Sequence, residues 1–265
     1  MLKEIRNRSF ANGKVYLLET QDGYRIEVTD TFLPYYTKDA VGRRQNALSS
    51  TDLGSRKERW MIGVSVMSGC PVRCKFCATG QMKKWRNLTS EEIVEQVQFV
   101  IDKAGCLPKD SKEFKINYTR MGEPFLNVDN VKAAITVIDK LYSTPTHLTH
   151  HYISTIGITG SDFSWIQNNI TLQISLHSLD AARRNWLIPY KNKLDLEELG
   201  KIQTGSLLKT TLNLTLVDKE DFNIEKLKTY FDQLKFFIKL SPINENVVSK
   251  KHKLGEGIIK GQNII

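Results

Sequence analysis

The sequence lacks the features that mark membrane proteins and repeat proteins. No apolar run approaches the eighteen or more residues that a membrane-spanning helix needs, and the longest candidate, at 236–240, has the length of a strand. Internal repeats and low-complexity tracts are absent as well. With 40% hydrophobic and 25% charged residues, the composition is typical of a soluble globular protein that has no membrane partner.

Acidic residues are fewer than basic ones, with 29 Asp and Glu against 38 Lys and Arg, which gives a formal net charge of +9. A surplus of positive charge favours binding to a polyanion such as RNA. Many basic globular proteins bind no nucleic acid, so the charge allows such a partner without requiring one.

Cysteine is scarce, and three of the four cysteines lie within one short stretch. Cys70, Cys74 and Cys77 occupy Cys-Pro-Val-Arg-Cys-Lys-Phe-Cys, a spacing that serves disulfides poorly. A structural zinc site would need four ligands at set spacings, and neither a histidine nor Cys106 lies near this loop in the sequence. We therefore interpret the three thiols as ligands of an iron–sulfur cluster and Cys106 as a free, partly buried thiol.

Three ligands leave one iron of a [4Fe–4S] cluster open, because four thiolates normally hold it. The C-x3-C-x2-C spacing, with Phe76 at the aromatic position before the last cysteine, resembles the signature of the radical S-adenosylmethionine (SAM) enzymes. The resemblance implies that the open iron binds the amino and carboxylate groups of SAM. It also implies that one electron, from a donor such as flavodoxin or ferredoxin, cleaves SAM to methionine and a 5′-deoxyadenosyl radical. Reduced thiols and an oxygen-sensitive cluster predict a cytoplasmic location.

The rest of the chain alternates strand-like and helix-like segments, which predicts an α/β fold. Apolar periodicity and turn residues indicate six strands, at 60–67, 114–119, 148–155, 171–176, 209–217 and 236–240. Helices are expected at 90–104, 128–142, 161–167, 180–204 (interrupted near Pro189) and 224–234. Six βα units in sequence predict a partial (β/α)6 radical SAM barrel over 59–245. We expect a small N-terminal β-hairpin extension and basic linker over 1–58, and a basic, mobile tail over 246–265.

Polar motifs follow the ends of five of the six predicted strands. In chain order they are the cysteine loop, Gly122–Glu123, Ser154, Ser175–His177 and Asn244. Because parallel α/β barrels hold their active sites at the carboxyl ends of the strands, we expect these residues to lie together.

Longer motifs carry a closer resemblance. Met-Ser-Gly-Cys-Pro-Val-Arg-Cys-Lys-Phe-Cys-Ala-Thr-Gly at 67–80, Met-Gly-Glu-Pro-Phe-Leu-Asn at 121–127, Ile-Ser-Thr-Ile-Gly at 153–157 and Ile-Ser-Leu-His at 174–177 are similar to the RNA adenine methyltransferases of the RlmN/Cfr type. The similarity covers roughly 13–244 and is strongest over 68–124.

The resemblance implies a role in SAM binding for each matching residue. Gly122 and Glu123 would receive the amino group of SAM, and Ser154 would bond its ribose or methionine part. Ser175 and His177 would line the adenosine side. Asn244 would complete that side.

Each of these residues also has a plainer interpretation. Glu123 could be an ordinary loop carboxylate, His177 a satisfied histidine at a strand end, and the short polar residues ordinary parts of loops. The group His147, His150 and His151 has no carboxylate or cysteine partner at a known metal spacing, so we interpret it as strand-edge histidines.

The chain also departs from the family. The methyl-carrying cysteine would lie seven residues before Cys70, where this chain has Gly63, and the second cysteine, near the C-terminus, has no counterpart. The family's base, a glutamate, would align at Thr29, so Glu27, two residues away, is the candidate base. We also expect the helical RNA-binding domain of the family to be missing.

Three functions remain open at this point. The first is a radical SAM enzyme that modifies a nucleic-acid base or nucleotide without the two-cysteine methyl transfer, with Trp85 and Arg86 contacting base and phosphate. The second is a radical enzyme that acts on a small metabolite or peptide. The third is a non-catalytic RNA-binding or redox-sensing iron–sulfur protein. The matching glutamate, serine and histidine set argues against the third, because a structural cluster needs no SAM contacts.

The ligand assignment predicts that Cys74→Ala, after anaerobic reconstitution with iron and sulfide, loses the brown absorbance of the cluster, because two thiolates do not hold it. Cys106→Ala is the matched control and should keep the full absorbance. A four-iron signal of parental size in Cys74→Ala would contradict the assignment.

Overall fold

The computed structural model describes residues 1–35, 52–216, 221–243 and 245–254. Asn244 lies outside the described residues, as do 36–51 of the predicted linker and 255–265 of the predicted tail. In the part of the chain that is described, no helix combines the length and the apolar character needed to cross a membrane.

The strands and helices have the following bounds. The strands are β1 Lys3–Phe10, β2 Gly13–Glu19, β3 Arg25–Leu33, β4 Arg59–Gly63, β5 Met67–Ser68, β6 Arg86–Asn87, β7 Glu113–Tyr118, β8 Thr149–Thr155, β9 Ile170–Ser175, β10 Thr210–Leu216 and β11 Phe236–Pro242. The helices are α1 Ser90–Ala104, α2 Val128–Tyr142, α3 Ala181–Leu187, α4 Leu196–Gly200, α5 Ile224–Tyr230 and α6 Val247–Lys251.

The chain divides into two compact units, and the division falls within β8. The first unit contains the described residues of 1–68 together with Leu88–Met121 and Val128–Tyr152. The second contains Gly69–Asn87, Gly122–Asn127 and the described residues from Ile153 onward. The domain boundaries expected from the sequence, after 58 and 245, remain predictions.

The first unit begins with the predicted β-extension. β2 and β3 form an antiparallel hairpin whose turn is closed by the N–H of Thr20 donating to the carbonyl of Tyr24 over 2.8 Å, and Gly23 in this turn has φ 81°. β1 pairs with β2 and was not predicted, because its mostly exposed residues give no apolar alternation. β3 continues antiparallel to β4, and β4 runs parallel to β7.

Helix α1 covers the predicted span, and its ends explain its length. Thr89 and Glu92 form the predicted capping box, in which the N–H of Glu92 donates to the Thr89 hydroxyl over 3.2 Å and the N–H of Thr89 donates to the Glu92 carboxylate over 3.0 Å. Gly105 ends the helix with φ 63°, a left-handed conformation that glycine adopts without strain.

The second unit contains parallel strands. β10 pairs in parallel with both β9 and β11. The helix predicted at 161–167 is wrong. The Asp162 carboxylate accepts the N–H of Ser164 over 2.8 Å, a local turn that competes with the helical hydrogen bonds. The helical region predicted at 180–204 is two short helices, α3 and α4, separated around Pro189.

A buried histidine links α2 to β7 and β8 in the first unit. His151 is fully buried, with its Nδ1 3.1 Å from the Tyr118 hydroxyl and its Nε2 2.9 Å from an Asp139 carboxylate oxygen. Both ring nitrogens are therefore used within the protein, so this residue is a core histidine rather than a strand-edge one.

A buried carboxylate joins β3 to β4 in the same unit. Asp30 is 1% exposed and accepts the indole N–H of Trp60 over 2.9 Å and two N–H groups of Arg56 over 3.1 and 2.5 Å. The Trp60 ring, itself fully buried, packs against Phe114 with 5.3 Å between ring centroids. The carboxylate thus satisfies the indole N–H, which is buried with its ring, and pairs with the partly exposed guanidinium of Arg56.

Asp30→Ala should lower the free energy of unfolding by about 2 kcal/mol, because it leaves the buried Trp60 N–H without an acceptor and breaks the ion pair with the partly exposed Arg56. Urea unfolding followed by tryptophan fluorescence measures the change. Glu197→Ala, which removes an exposed ion pair with Lys201, is the control and should change the free energy little. Equal effects of the two substitutions would contradict the role given to Asp30.

Candidate functional site

The three cysteines lie on one tightly closed loop of the second unit. All three are free and half-buried. The loop begins at Gly69, with φ 73°, and turns at Arg73, which has the left-handed φ of 58°. A Cβ at Gly80 would lie 2.7 Å from the Cα of Arg73, so only glycine allows this close approach of the loop to itself.

Burial disfavours the charged, thiolate form of two of these cysteines, Cys70 and Cys74. Burial raises the pKa of Cys70 to about 12. The backbone N–H groups of Val72 and Arg73 bond to the sulfur and partly offset this rise. Burial, reinforced by the two other thiols and Glu123, raises the pKa of Cys74 well above its ordinary value. Thiolates in this loop therefore need a positive partner, which iron supplies on binding.

The donor set fits a cluster held by three ligands. Among the described residues, no group of three or more His, Cys, Asp or Glu side chains converges on the position of a single metal ion. In a cluster each thiolate ligates a different iron, so the sulfurs need not converge on one point. Three free thiols on one loop, with backbone N–H groups directed at Cys70, match this arrangement.

Main-chain and side-chain contacts fasten the loop to the rest of its unit. The N–H of Lys75 donates to the carbonyl of Leu187 at the end of α3 over 2.9 Å. The carbonyl of Phe76 accepts the side-chain N–H of Asn246 over 2.9 Å. The Phe76 ring lies edge-on to His177, 4.7 Å between centroids. Phe76 and His177, both predicted site residues, are therefore in contact.

Glu123 is held deep in the second unit rather than in an open loop. The residue is 3% exposed, and its carboxylate accepts the N–H of Phe125 over 3.2 Å and the N–H of Ile156 over 2.9 Å. Burial raises its pKa to about 7, while the Thr155 hydroxyl and the two N–H groups act in the opposite direction. Gly122, just before it, has φ 106°. The carboxyl group is thus poised between its neutral and charged forms, and a bound cation would favour the charged one.

The two predicted serines meet at the ends of neighbouring strand segments. The hydroxyls of Ser154, near the end of β8, and Ser175, at the end of β9, are 3.0 Å apart, and both residues are half-buried. A hydroxyl can donate and accept, so the pair offers both functions to a ligand.

His177 follows these serines in a left-handed backbone conformation that few residues other than glycine adopt. Its φ is 61°, and its Nδ1 accepts the N–H of Thr215 over 3.1 Å. Burial, with the Arg184 cation as a lesser cause, lowers its pKa to about 3. The ring is therefore neutral at neutral pH, with its proton on Nε2.

Arg184, on α3, was missed by the sequence analysis. It is 2% exposed and donates to the carbonyls of Leu194 and Ile156, each over 2.8 Å. Ile156 is also the residue whose N–H meets Glu123, so Arg184 braces the peptide segment that holds the carboxylate. The helical spacing of Arg184 and the buried Leu187 is the signal that could have identified it.

Of the other three predicted residues, Glu27 lies in the first unit, and Trp85 and Arg86 lie in the second. Glu27, in the first unit, forms an ion pair with Arg120, a residue that the sequence analysis did not select. Trp85 is 48% exposed, so its ring is accessible, and Arg86 donates to the neighbouring carbonyl of Asn87 over 2.9 Å. The site therefore gathers the cysteines, Phe76, Gly122, Glu123, both serines and His177 in one unit, whereas Glu27 belongs to the other.

Comparisons with known proteins point in one direction. No protein-family model matches the chain. It is 34% identical over 199 residues to the "Probable dual-specificity RNA methyltransferase RlmN" of Dictyoglomus turgidum, covering 74% of this chain and 50% of the relative. It is 37% identical over 177 residues to the protein of the same name from Chlorobium phaeobacteroides, covering 66% of this chain and 49% of the relative. The chain thus spans about half the length of these curated relatives.

One solved structure is similar over most of the chain. It is a radical SAM methyltransferase from Sphaerobacter thermophilus, with a TM-score of 0.65, 23% identity, and coverage of 95% of this chain and 72% of that one. Together with the parallel strand pairs described above, this similarity confirms the predicted α/β fold with a partial radical SAM barrel.

The pKa of His177 makes stability depend on pH in a defined sense. Because this pKa is lower in the folded protein than in the unfolded one, the unfolded chain binds the proton more readily, and stability is lost as the pH falls below about 6.5. Acidification from pH 7 to pH 5 should therefore destabilise the metal-free protein by about 2 kcal/mol more than it destabilises His177→Gln.

Urea unfolding at several pH values measures this difference. Glutamine keeps an acceptor for the Thr215 N–H, so the two proteins should show a nearly constant difference above pH 7. Identical pH slopes for parent and variant between pH 5 and pH 7 would contradict the burial of a neutral imidazole.

Proposed function

The chain belongs to the RlmN/Cfr-like radical SAM family, and we propose that it is an enzyme that cleaves SAM reductively and modifies a nucleotide of RNA. Cys70, Cys74 and Cys77 would hold the [4Fe–4S] cluster. When bound, the cluster supplies the electron that cleaves SAM. We place the enzyme in the cytoplasm, with a flavodoxin or ferredoxin as electron donor.

The observation that carries this proposal is the buried carboxylate of Glu123. Burial makes the charged form of the Glu123 carboxylate unfavourable and raises its pKa to about 7. An ammonium group of a ligand, bound beside it, would stabilise that charged form. The charge of Glu123 also acts on Cys70 and Cys74, which supports a role for it beside the proposed ligands. The amino group of SAM is the cation that would be expected at such a position, with the Gly122 backbone beside it.

The remaining polar groups suit the adenosine and ribose portions of SAM. The hydroxyls of Ser154 and Ser175 can bond a ribose, since each donates and accepts. His177 has its Nδ1 occupied by Thr215, so its Nε2–H is the group left to donate to a nucleoside acceptor. The Phe76 ring beside it adds an apolar surface. Asn244 would complete this side, as the family resemblance implies.

RNA is proposed as the substrate because the relatives are named RNA methyltransferases and the chain carries a net charge of +9. The half-exposed Trp85 offers a ring on which a base can stack. The reaction itself would differ from two-cysteine methyl transfer, because Gly63 has no sulfur to carry a methyl group. Hydrogen abstraction from the nucleotide by the 5′-deoxyadenosyl radical is the step that needs no such carrier.

Glu123→Gln should weaken SAM binding to the cluster-loaded protein about 10- to 100-fold, because it replaces a charge-assisted bond with a neutral one. Titration with SAM, followed by the perturbation of the cluster's spectrum, gives the affinity, and release of 5′-deoxyadenosine under dithionite gives the cleavage rate. The cluster absorbance should stay at the parental value.

The exposed Glu197→Gln is the matched control and should leave both readouts unchanged. Parental affinity in Glu123→Gln would contradict the SAM contact. A cluster-loaded parent that never releases 5′-deoxyadenosine, with or without RNA, would overturn the proposed function as a whole.

A further inference from the structure

Gly63, at the end of β4, has a neighbourhood that explains why it is glycine. Its φ is not in the left-handed region, so the backbone does not require glycine here. A Cβ at this position would lie 2.4 Å from the Thr29 hydroxyl oxygen and 3.0 Å from Cδ of Arg120. The space that a side chain would take is therefore filled by the Thr29 hydroxyl and the stem of Arg120 together, a use of glycine that is common where other groups approach a strand closely.

Arg120 is fixed in this position from two directions. Its backbone N–H donates to the carbonyl of Val64 over 3.2 Å, and the next carbonyl, of Met121, accepts the N–H of Val66 over 2.8 Å. At the other end of the side chain, the guanidinium forms an ion pair with Glu27. Glu27 and Thr29 are two positions apart, so they lie on the same face of β3. Thr29 is the partner of Gly63 in the antiparallel pairing of β3 with β4.

The result is a cluster of polar groups at the carboxyl end of a parallel strand, an edge where α/β folds bind ligands. The Arg120 and Glu27 side chains are 35% and 34% exposed, so solvent and a ligand can reach the pair. A guanidinium carries five N–H donors in a planar fork, and Glu27 occupies only one side of it. Arginine in this form matches the oxygens of a phosphate, whereas a lone lysine binds phosphate as a point charge.

We propose that Gly63, Arg120 and Glu27 form a substrate-recognition site in which Arg120, seated over Gly63 and oriented by Glu27, binds a phosphate of the RNA substrate. This inference rests on the proposed function for the identity of the substrate. In this proposal Arg120 contacts the substrate, and Gly63, which has no side chain, leaves space for the stem of Arg120.

The test uses a short, fluorescein-labelled single-stranded RNA and fluorescence anisotropy over a series of salt concentrations, with the cluster-loaded protein. Arg120→Gln should weaken binding about tenfold and lower the salt dependence of log K by about one phosphate contact. Gly63→Ala should weaken binding as well, because the added Cβ crowds both the Thr29 hydroxyl and the stem of Arg120 and so shifts the guanidinium. In the Arg120→Gln background, Gly63→Ala should have little further effect, since the two substitutions damage the same contact.

The controls separate this site from general surface charge and from loss of folding. Arg25→Gln removes a more exposed arginine, which lies on β3 and pairs with Glu19 on β2, and should change binding less than Arg120→Gln does. SAM affinity and cluster absorbance should be parental in all variants, which shows that they bind their cofactors. The midpoint of urea unfolding should be parental as well, which shows that the first unit, where the substitutions lie, keeps its fold.

The outcomes distinguish the two proposals. Parental RNA affinity in Arg120→Gln, an equal loss in Arg25→Gln, or additive losses in the double variant would overturn the recognition site and leave the RNA substrate standing. If the parent protein binds no RNA while it still cleaves SAM, the RNA substrate fails and this site fails with it.

Discussion

The cost of burying ionisable groups governs the candidate site. Burial raises the pKa of Glu123 and of the thiols of Cys70 and Cys74, and lowers that of His177, so each group is driven toward its neutral form. A site built this way carries little charge of its own. Under the proposed function, the cationic cofactor and the iron would restore the charges on Glu123 and the cysteines, which ties the stability of the bound state to both ligands.

A single peptide segment connects several parts of this site. The N–H of Ile156 bonds the Glu123 carboxylate and its carbonyl accepts the Arg184 guanidinium, while Ser154 lies two residues earlier in the chain. Arg184 in turn lies one helical turn before Leu187, whose carbonyl accepts the N–H of Lys75 in the cysteine loop. Substitution of Arg184 would therefore alter the surroundings of both the Glu123 carboxylate and the cysteine loop, although Arg184 belongs to neither.

The sequence predicted the features that local pattern controls. The six barrel strands, the capping box of α1 and the position of Glu123 after a strand all follow from apolar periodicity, turn residues and motif spacing. The features that were missed depend on contacts between distant residues. Nothing near 161–167 signals that a local turn replaces a helix, and nothing near Arg120 signals that its stem fills the space above a glycine nearly sixty positions earlier. Burial of His151 likewise required α2 to supply Asp139.

The outer strand β1 has one further consequence. It pairs only with β2 among the described strands, and its other edge presents unpaired main-chain groups. Lys3, Arg6 and Arg8 stand along this exposed strand, and the pairing with β2 shifts register between Glu4 and Arg6. Like charges and an irregular register both oppose the alignment of a second copy of the strand. The same basic residues that suit a polyanion thus also oppose edge-to-edge pairing of β1 with a second copy of itself.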